Sequence, residues 1–405
     1  MRAEFAGKVI ESVDSSVEIF LSSDKSDYCE IIVNGLVFGK GHVTTIDTNF
    51  TIASIRGFTI GQSVLDDHSI AVSSIRFKVV NLREIKGPVT QIQGADGKVM
   101  SSYNRLIFSS NDYIIVLDKI TEFKKTMNKL HDEGGYSILY NGEITSSKSS
   151  VKLSDIQDLI HCFSTFLTFM NGRRCSLLFL EGVFDNSIIW RDFTPRHTDQ
   201  YKSVSSWSQV FNLSEINVTW QQFNKIWQTN EGKDFITTAI HWYVEANSHA
   251  AFTEGSIVLT QTALELLYNW VIVEKKGVLL GKDAENISAS NKIRLLLNAL
   301  NITFDVPLSL TDLISFQSST QEITDGPEAF VNIRNAIVHS QVEKRKKLMQ
   351  ISSNAKYQSL KLGIWYLELA LLNTFNFNGK YRNRCSLSNW AGDDEEYVPW
   401  VKTSK

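Results

Sequence analysis

Up to about residue 118 the chain alternates between apolar and polar positions, and from about Thr219 apolar residues instead recur every three or four. Alternation sends successive side chains to opposite faces of a strand, whereas the longer period lines one stripe of a helix. Strands are expected at residues 16–21, 29–33, 36–38, 50–55, 76–80, 106–108 and 113–117. Asn34-Gly35 marks a hairpin turn, and Ser110-Asn111-Asp112 marks another. Short strands at this spacing predict a sandwich or a barrel. The pattern then mixes. Ile120, Phe123, Met127 and Leu130 line an amphipathic helix. Residues 136–139 and 143–145 read as two strands parted by a turn at Asn141-Gly142. A second helix over 153–170 ends at Asn171-Gly172, and residues 177–180 and 188–190 are again strand-like.

The second half predicts helices almost without a break. Trp220, Phe223 and Trp227 line one, and Phe235, Ala239, Trp242 and Tyr243 the next. Others follow at 257–273, 290–300 and 310–316, the last with Ser309 and Asp312 as a capping box. Residues 355–375 are apolar nearly all round and should be buried. Between these lies a strong helix start, Asp325-Gly326-Pro327-Glu328. Asp325 suits the cap, Pro327 the first turn, and Glu328 the far side of a capping box. Phe330, Ile333 and Ile337, with Val331, Val338 and Val342 alongside, form its apolar stripe. The fold class is therefore α+β. A β-rich N-terminal domain with a few helices spans 1–210, with a candidate internal boundary at 146–152, and an all-α bundle spans 215–405.

Hydrophobic content of 43% in 405 residues supplies cores for two or three domains. A net charge of −3 excludes a wholly basic coat, so any nucleic-acid contact must come from a local patch. Cys29, Cys162, Cys175 and Cys385 are scattered without zinc or redox spacing, as in reduced cytosolic proteins. Met1-Arg2-Ala3-Glu4-Phe5 lacks the apolar run of a signal peptide. The best candidate membrane span, 153–170, is interrupted by Asp155, Asp158 and His161, so a cytoplasmic chain is expected. P-loop, HExxH and GxSxG patterns do not occur, and no metal or other cofactor is expected.

One segment carries chemistry: Arg334-Asn335-Ala336-Ile337-Val338-His339. Asn335 and His339, four apart, share a helix face; Arg334 points about 140° from His339 but has a long stem. A guanidinium offers a planar fork of donors to phosphate, and an imidazole moves protons near neutral pH. Glu265, a carboxylate in an apolar stripe, is a candidate partner for Arg334. Lys344, Arg345, Lys346 and Lys347 follow on what reads as the same helix; they suit flanking RNA phosphates, and equally a solvated helix end. Lys380, Arg382 and Arg384 form a second basic cluster with the same two readings, and the acidic run 393–396 reads as a solvated turn.

Ile333-Arg334-Asn335-Ala336-Ile337-Val338-His339 resembles the signature helix of the HEPN superfamily (higher eukaryotes and prokaryotes nucleotide-binding), whose ribonucleases carry Arg, a polar residue, a short variable run and His. Residues 239–246, 262–267 and 292–297 are similar to successive helices of its ApeA-like branch, found in phage-defence proteins. Tyr381-Arg382-Asn383-Arg384 and Val398-Pro399-Trp400 are similar to its C-terminal end. The likeness covers about 215–405. It implies a metal-independent endoribonuclease acting on tRNA or mRNA in defence or growth arrest. RNA supplies its own nucleophile, the 2′-hydroxyl; His339 suits the proton transfers, Arg334 the phosphorane charge, and Asn335 an orienting role. One His per chain serves poorly as both acid and base, which favours a homodimer, as the resemblance also implies. The N-terminal half would then be a sensor of a phage-derived or other trigger. The alternative is a non-catalytic HEPN-like module that binds nucleotides, RNA or a protein. A third reading makes the β-rich half a carbohydrate- or peptide-binding domain.

Overall fold

A computed structural model describes residues 2–401 except 6–7, 13–16, 22–27, 49–52, 94–98, 111, 149, 249–251, 340, 388–389 and 391; side chains at 1–27, 46–56, 90–102, 343–345 and 347 are also outside the description. The chain forms two compact units: one of residues 1–83, 89–167 and 174–203, the other of 84–88, 168–173 and 204–405. The helical unit thus begins at 204 rather than 215, and it takes two short pieces from the first half.

The first unit is built on one sheet. Its strands are β1 (Arg2–Phe5), β2 (Lys8–Ser12), β3 (Val17–Leu21), β4 (Tyr28–Val33), β5 (Leu36–Thr48), β6 (Ala53–Leu65), β7 (Ser74–Val80), β8 (Thr90–Gln93), β9 (Val99–Ser102), β10 (Arg105–Ser109), β11 (Tyr113–Lys119), β12 (Ile138–Ser146), β13 (Leu177–Phe184) and β14 (Ser187–Asp192). Ten of them pair in the order β10-β11-β12-β7-β13-β14-β6-β5-β4-β3, while β1-β2 and β8-β9 are separate two-stranded ribbons. Where a sandwich or barrel was expected, hydrogen bonding joins one open antiparallel sheet. Asn34 and Gly35 both have positive φ (53° and 78°), the backbone a tight β4–β5 hairpin needs. Helix α1 (Phe123–Glu133) packs beside β12. Helix α2 (Leu153–Asn171) sets Phe163 and Phe166 edge-on against Phe108 of β10, with ring centroids 5.0 and 5.9 Å away. A smaller core of Val33, Phe38 and Leu65 lies under β4–β6.

Asn141-Gly142 is not a turn. It lies inside β12, with Gly142 paired to Leu117 on one side and Phe77 on the other. A Cβ at Gly142 would lie 2.2 Å from Phe77 Cζ, so the glycine is there to seat the ring. Pairing on both edges outweighs the local turn preference. Gly182 makes the same room for Trp190 of β14.

The second unit contains α3 (Ile216–Trp227), α4 (Asn230–Asn247), α5 (Phe252–Tyr268), α6 (Gly281–Asn286), α7 (Ala289–Ala299), α8 (Thr311–Ser318), α9 (Gly326–Val338), α10 (Val342–Gln350) and α11 (Ser353–Thr374), then the short pair β15 (Lys380–Arg382) and β16 (Glu395–Tyr397). As its apolar sequence requires, α11 is the buried axis, touching α4, α5, α7, α8 and α9. Gly363 allows the closest approach: a Cβ there would lie 2.5 Å from Phe330 of α9 and 2.9 Å from Thr260 of α5. α5 continues as a π-helix over Asn269–Lys275, where Trp270 stacks on Phe235 of α4 at 4.2 Å. The whole span Phe252–Lys275, rather than 153–170, is the one helix among the described residues long and apolar enough to cross a membrane; most of it is buried in this bundle.

Two expected local features differ. The capping box at α8 does not form: the cap position is Leu310, and the Ser309 hydroxyl donates to the Cys385 carbonyl instead. The acidic run is a turn at Asp393 and Asp394 that enters β16, and its carboxylates are engaged rather than merely solvated. Asp394 accepts from Arg382 Nε (2.6 Å), Glu395 from the Phe211 N–H (2.8 Å), and Glu396 from the Tyr381 hydroxyl (2.6 Å) and Asn383 (3.0 Å). Each carboxylate finds a donor brought close by the fold, which a sequence-local reading does not reveal.

Candidate functional site

Helix α9 carries the proposed chemistry, and its two ends differ. At the N-terminus, Asp325 has extended backbone and its Oδ1 accepts the Glu328 N–H at 3.0 Å, the expected cap. The far half of the capping box is replaced. Glu328 Oε2 accepts from Arg294 Nη2 (2.8 Å) and Thr324 Oγ1 (3.0 Å). Arg294, from α7, also donates Nε and Nη2 to Asp325 at 2.5 and 3.0 Å. Donating to Asp325 is the main reason its guanidinium is held above the usual arginine range. Gly326 sits so close to Tyr366 that a Cβ would lie 2.2 Å from its hydroxyl.

Ala329, Phe330, Val331, Ile333 and Ala336 bury the inner face of α9; Arg334 and Asn335 are half-buried, and Val338 and His339 are exposed. Arg334 Nη1 donates to Asn335 Oδ1 at 3.3 Å, while the buried Arg334 Nε has no hydrogen-bond partner among the described residues. The helix ends at Val338. His339 is its C-cap, with φ −86° and ψ 108°, and its N–H still donates to the Asn335 carbonyl at 3.1 Å. The imidazole therefore leaves the helix track just as it reaches solvent. Arg334 and Asn335 are joined side chain to side chain, whereas His339 is tied to Asn335 through its backbone N–H, so the shared helix face expected for Asn335 and His339 ends one residue short of the imidazole.

The other expected site residues separate from this group. Glu265 is half-buried, but its Oε1 accepts from Gln261 Nε2 at 2.7 Å, one turn earlier on α5. Among the described residues no ion pair joins it to Arg334. A partner four residues away on the same helix is already in reach and needs no tertiary alignment. The basic run is not on the histidine's helix: the chain breaks after Val338, and α10 starts afresh at Val342. Lys346 is exposed there, and the side chains of Lys344, Arg345 and Lys347 fall outside the described residues.

The second basic cluster is structural. Arg382 is held by Asp394 and donates Nη1 to Gln209 at 2.8 Å. Arg384 donates Nε and Nη2 to the two Glu368 oxygens at 2.8 and 2.5 Å, and Nη2 to Asn247 at 3.1 Å; Tyr243 completes the set at 2.7 Å. Burial works against the charge on Arg384, but the Glu368 carboxylate offsets it and keeps the guanidinium above its ordinary range. This network went unread, although a signal existed: Glu368 stands inside an apolar run, and a carboxylate at 0% exposure demands a cation. Lys380 lies over the Tyr397 ring at 5.7 Å. Among the described residues no three His, Cys, Asp or Glu side chains cluster as metal ligands. The four cysteines are buried and form no disulfide, and burial pushes the Cys385 thiol up to about 12.

Residues 67–204 match the family model of the YopA central domain, and residues 229–396 match that of the YopA C-terminal domain. The second match contains Arg334, Asn335 and His339. No solved structure matches the chain. Over 406 aligned residues, covering 98% of this chain and 88% of the other, it is 25% identical to the SPbeta prophage-derived uncharacterized protein YopA of Bacillus subtilis (strain 168).

Proposed function

We propose that the helical unit is a metal-independent endoribonuclease of the HEPN type, which cleaves tRNA or mRNA through the substrate's own 2′-hydroxyl. One observation carries this reading: the exposed His339 is the C-cap residue of the helix whose end holds a half-buried guanidinium with a buried Nε that has no hydrogen-bond partner among the described residues. In the proposed reaction His339 of one chain takes the 2′-hydroxyl proton as that oxygen attacks phosphorus, a second imidazole gives a proton to the leaving 5′-oxygen, and Arg334 stabilises charge on the phosphorane. Asn335, bonded to Arg334, orients the guanidinium. A single imidazole per chain serves one proton transfer, so a homodimer would bring the second. The β-rich unit then acts as sensor or restraint, with a phage-derived trigger. In this reading the chain acts in the cytoplasm on RNA, in defence or growth arrest.

The test is cleavage of a labelled RNA by purified protein in excess EDTA. The expected products end in 2′,3′-cyclic phosphate, and His339→Ala yields none. Ends bearing 3′-hydroxyl, or equal cutting by His339→Ala, would overturn the assignment. A second reading, a non-catalytic module, has its own support: among the described residues no side chain hydrogen-bonds the His339 ring to fix its orientation. RNA bound tightly by the parent but never cut would favour it.

A further inference from the structure

The β-rich unit carries an aromatic row on the wrong face of its sheet for a core. Tyr28, His42 and Phe58 are successive cross-strand partners on β4, β5 and β6. Their rings touch in sequence, Tyr28 to His42 at 6.2 Å and His42 to Phe58 at 5.2 Å between centroids. Side chains alternate between faces, so Val33 lies on the face opposite Tyr28, in the core; Phe38, which the register shift beside Ile31 and Ile32 leaves unpaired on β5, turns into the same core. The outward face of an antiparallel sheet is normally polar. Here Tyr28 is 56% and Phe58 57% exposed, with Ile60 beside them. The neighbouring row on the same face is Glu30, Lys40 and Ile60, and Lys40 makes no ion pair among the described residues.

We propose that this face binds single-stranded RNA by stacking bases on the Tyr28 and Phe58 rings that flank His42, with Lys40 meeting a phosphate. Rings on adjacent strands of an open sheet are a surface on which unpaired bases can stack without regard to sequence. Tyr28 stands at 68° to His42 and His42 at 37° to Phe58, so the two exposed outer rings, Tyr28 and Phe58, offer separate stacking faces on either side of the half-buried His42. The cation beside the rings favours a polyanion over a neutral sugar. Glu30 across the strand keeps the local charge small, so stacking supplies most of the hold and salt dependence is shallow. The choice of RNA also rests on the ribonuclease reading, for which this face would be a substrate grip away from the chemistry.

The experiment measures binding of a fluorescent oligouridine by the full chain carrying His339→Ala, so that cutting does not interfere. Tyr28→Ala and Phe58→Ala are each expected to weaken binding about tenfold, in line with the loss of one stacked base. Phe58→Tyr, which keeps a ring, is expected to bind like the parent. Lys40→Ala is expected to lower the salt slope by about one. Far-ultraviolet circular dichroism and the melting temperature check that these exposed substitutions leave the fold intact. Binding unchanged in the Tyr28→Ala, Phe58→Ala double variant, no oligouridine binding by the parent, or loss of retention on a polysaccharide with RNA binding unmoved would each overturn the proposal. A chain that never cuts RNA, yet loses binding with the rings, would sink the ribonuclease reading and leave this one standing.

Discussion

The two ends of the 13-residue helix α9 are built on opposite rules. At its start, every charge has an answer: Arg294 is shared between Asp325 and Glu328, and Asp325 also caps the backbone. At its finish, Arg334 keeps one weak bond to Asn335, and His339 stands in solvent. An arginine with full carboxylate pairing has its donors committed to the fold; one without it has donors left for a ligand. The comparison separates anchoring from chemistry on a single helix, and it can be broken at either end.

The largest effect is expected at the open end. His339→Ala and Arg334→Ala should each lower cleavage by about 10²–10⁴-fold, with melting temperatures near the parent's because neither side chain has an ion pair to lose. Arg334→Lys should recover little, since a point charge lacks the planar fork. A drop in stability as large as the drop in rate would collapse the distinction between the two ends. Next comes a paired arginine used as a reference. Arg384→Ala leaves Glu368 buried and unpaired and should cost about 3–5 kcal/mol in urea unfolding. The less buried anchor should be milder: Arg294→Ala should cost about 2 kcal/mol, because Asp325 still accepts the Glu328 N–H and water reaches the half-buried Glu328. If cleavage also fell in Arg294→Ala at a temperature where the fold is intact, the anchor would be part of the site.

The smallest effect is alkaline. The Cys385 thiol is raised from 9.0 to about 12, chiefly by burial. Below pH 9 both folded and unfolded chains hold this proton and its contribution is complete. As pH climbs towards 12 the unfolded chain ionises first, so stability falls. Cys385→Ala should flatten that part of the pH profile, read by urea midpoints across the range.

Local signals were the legible ones. Asp325 as a cap, Asn34-Gly35 as a hairpin and Asn171-Gly172 as a helix end depend only on a few neighbouring residues, and Gly172 indeed has φ 68°. The Arg334–Asn335 pair is a neighbour contact of the same local kind, while the helix end at Val338, which takes His339 off the shared face, was not legible. Tertiary choices were not. Glu265 found Gln261 rather than Arg334, Ser309 turned to Cys385, and the acidic tail met Arg382 and Tyr381. In each case several partners were chemically equivalent, and only the packing decided among them. The break between α9 and α10 was hidden because the charged run 343–347 has good helix formers on both sides and no proline or glycine to mark the stop.

Gly142 has a bearing on how the chain reaches its fold. Asn141-Gly142 is among the strongest hairpin-forming pairs, so residues 138–146 favour bending back on themselves while they are alone. The extended form wins only when β7 and β11 arrive on either flank and the Phe77 ring settles over the glycine. That makes the middle of the sheet a point of local frustration, where a nearby contact forms quickly and must be undone for a distant one. Strand β7 lies more than sixty residues upstream of β12, so the productive pairing closes a long loop before it is rewarded. The residue that seats an aromatic ring in the finished sheet is thus also what slows the sheet's assembly.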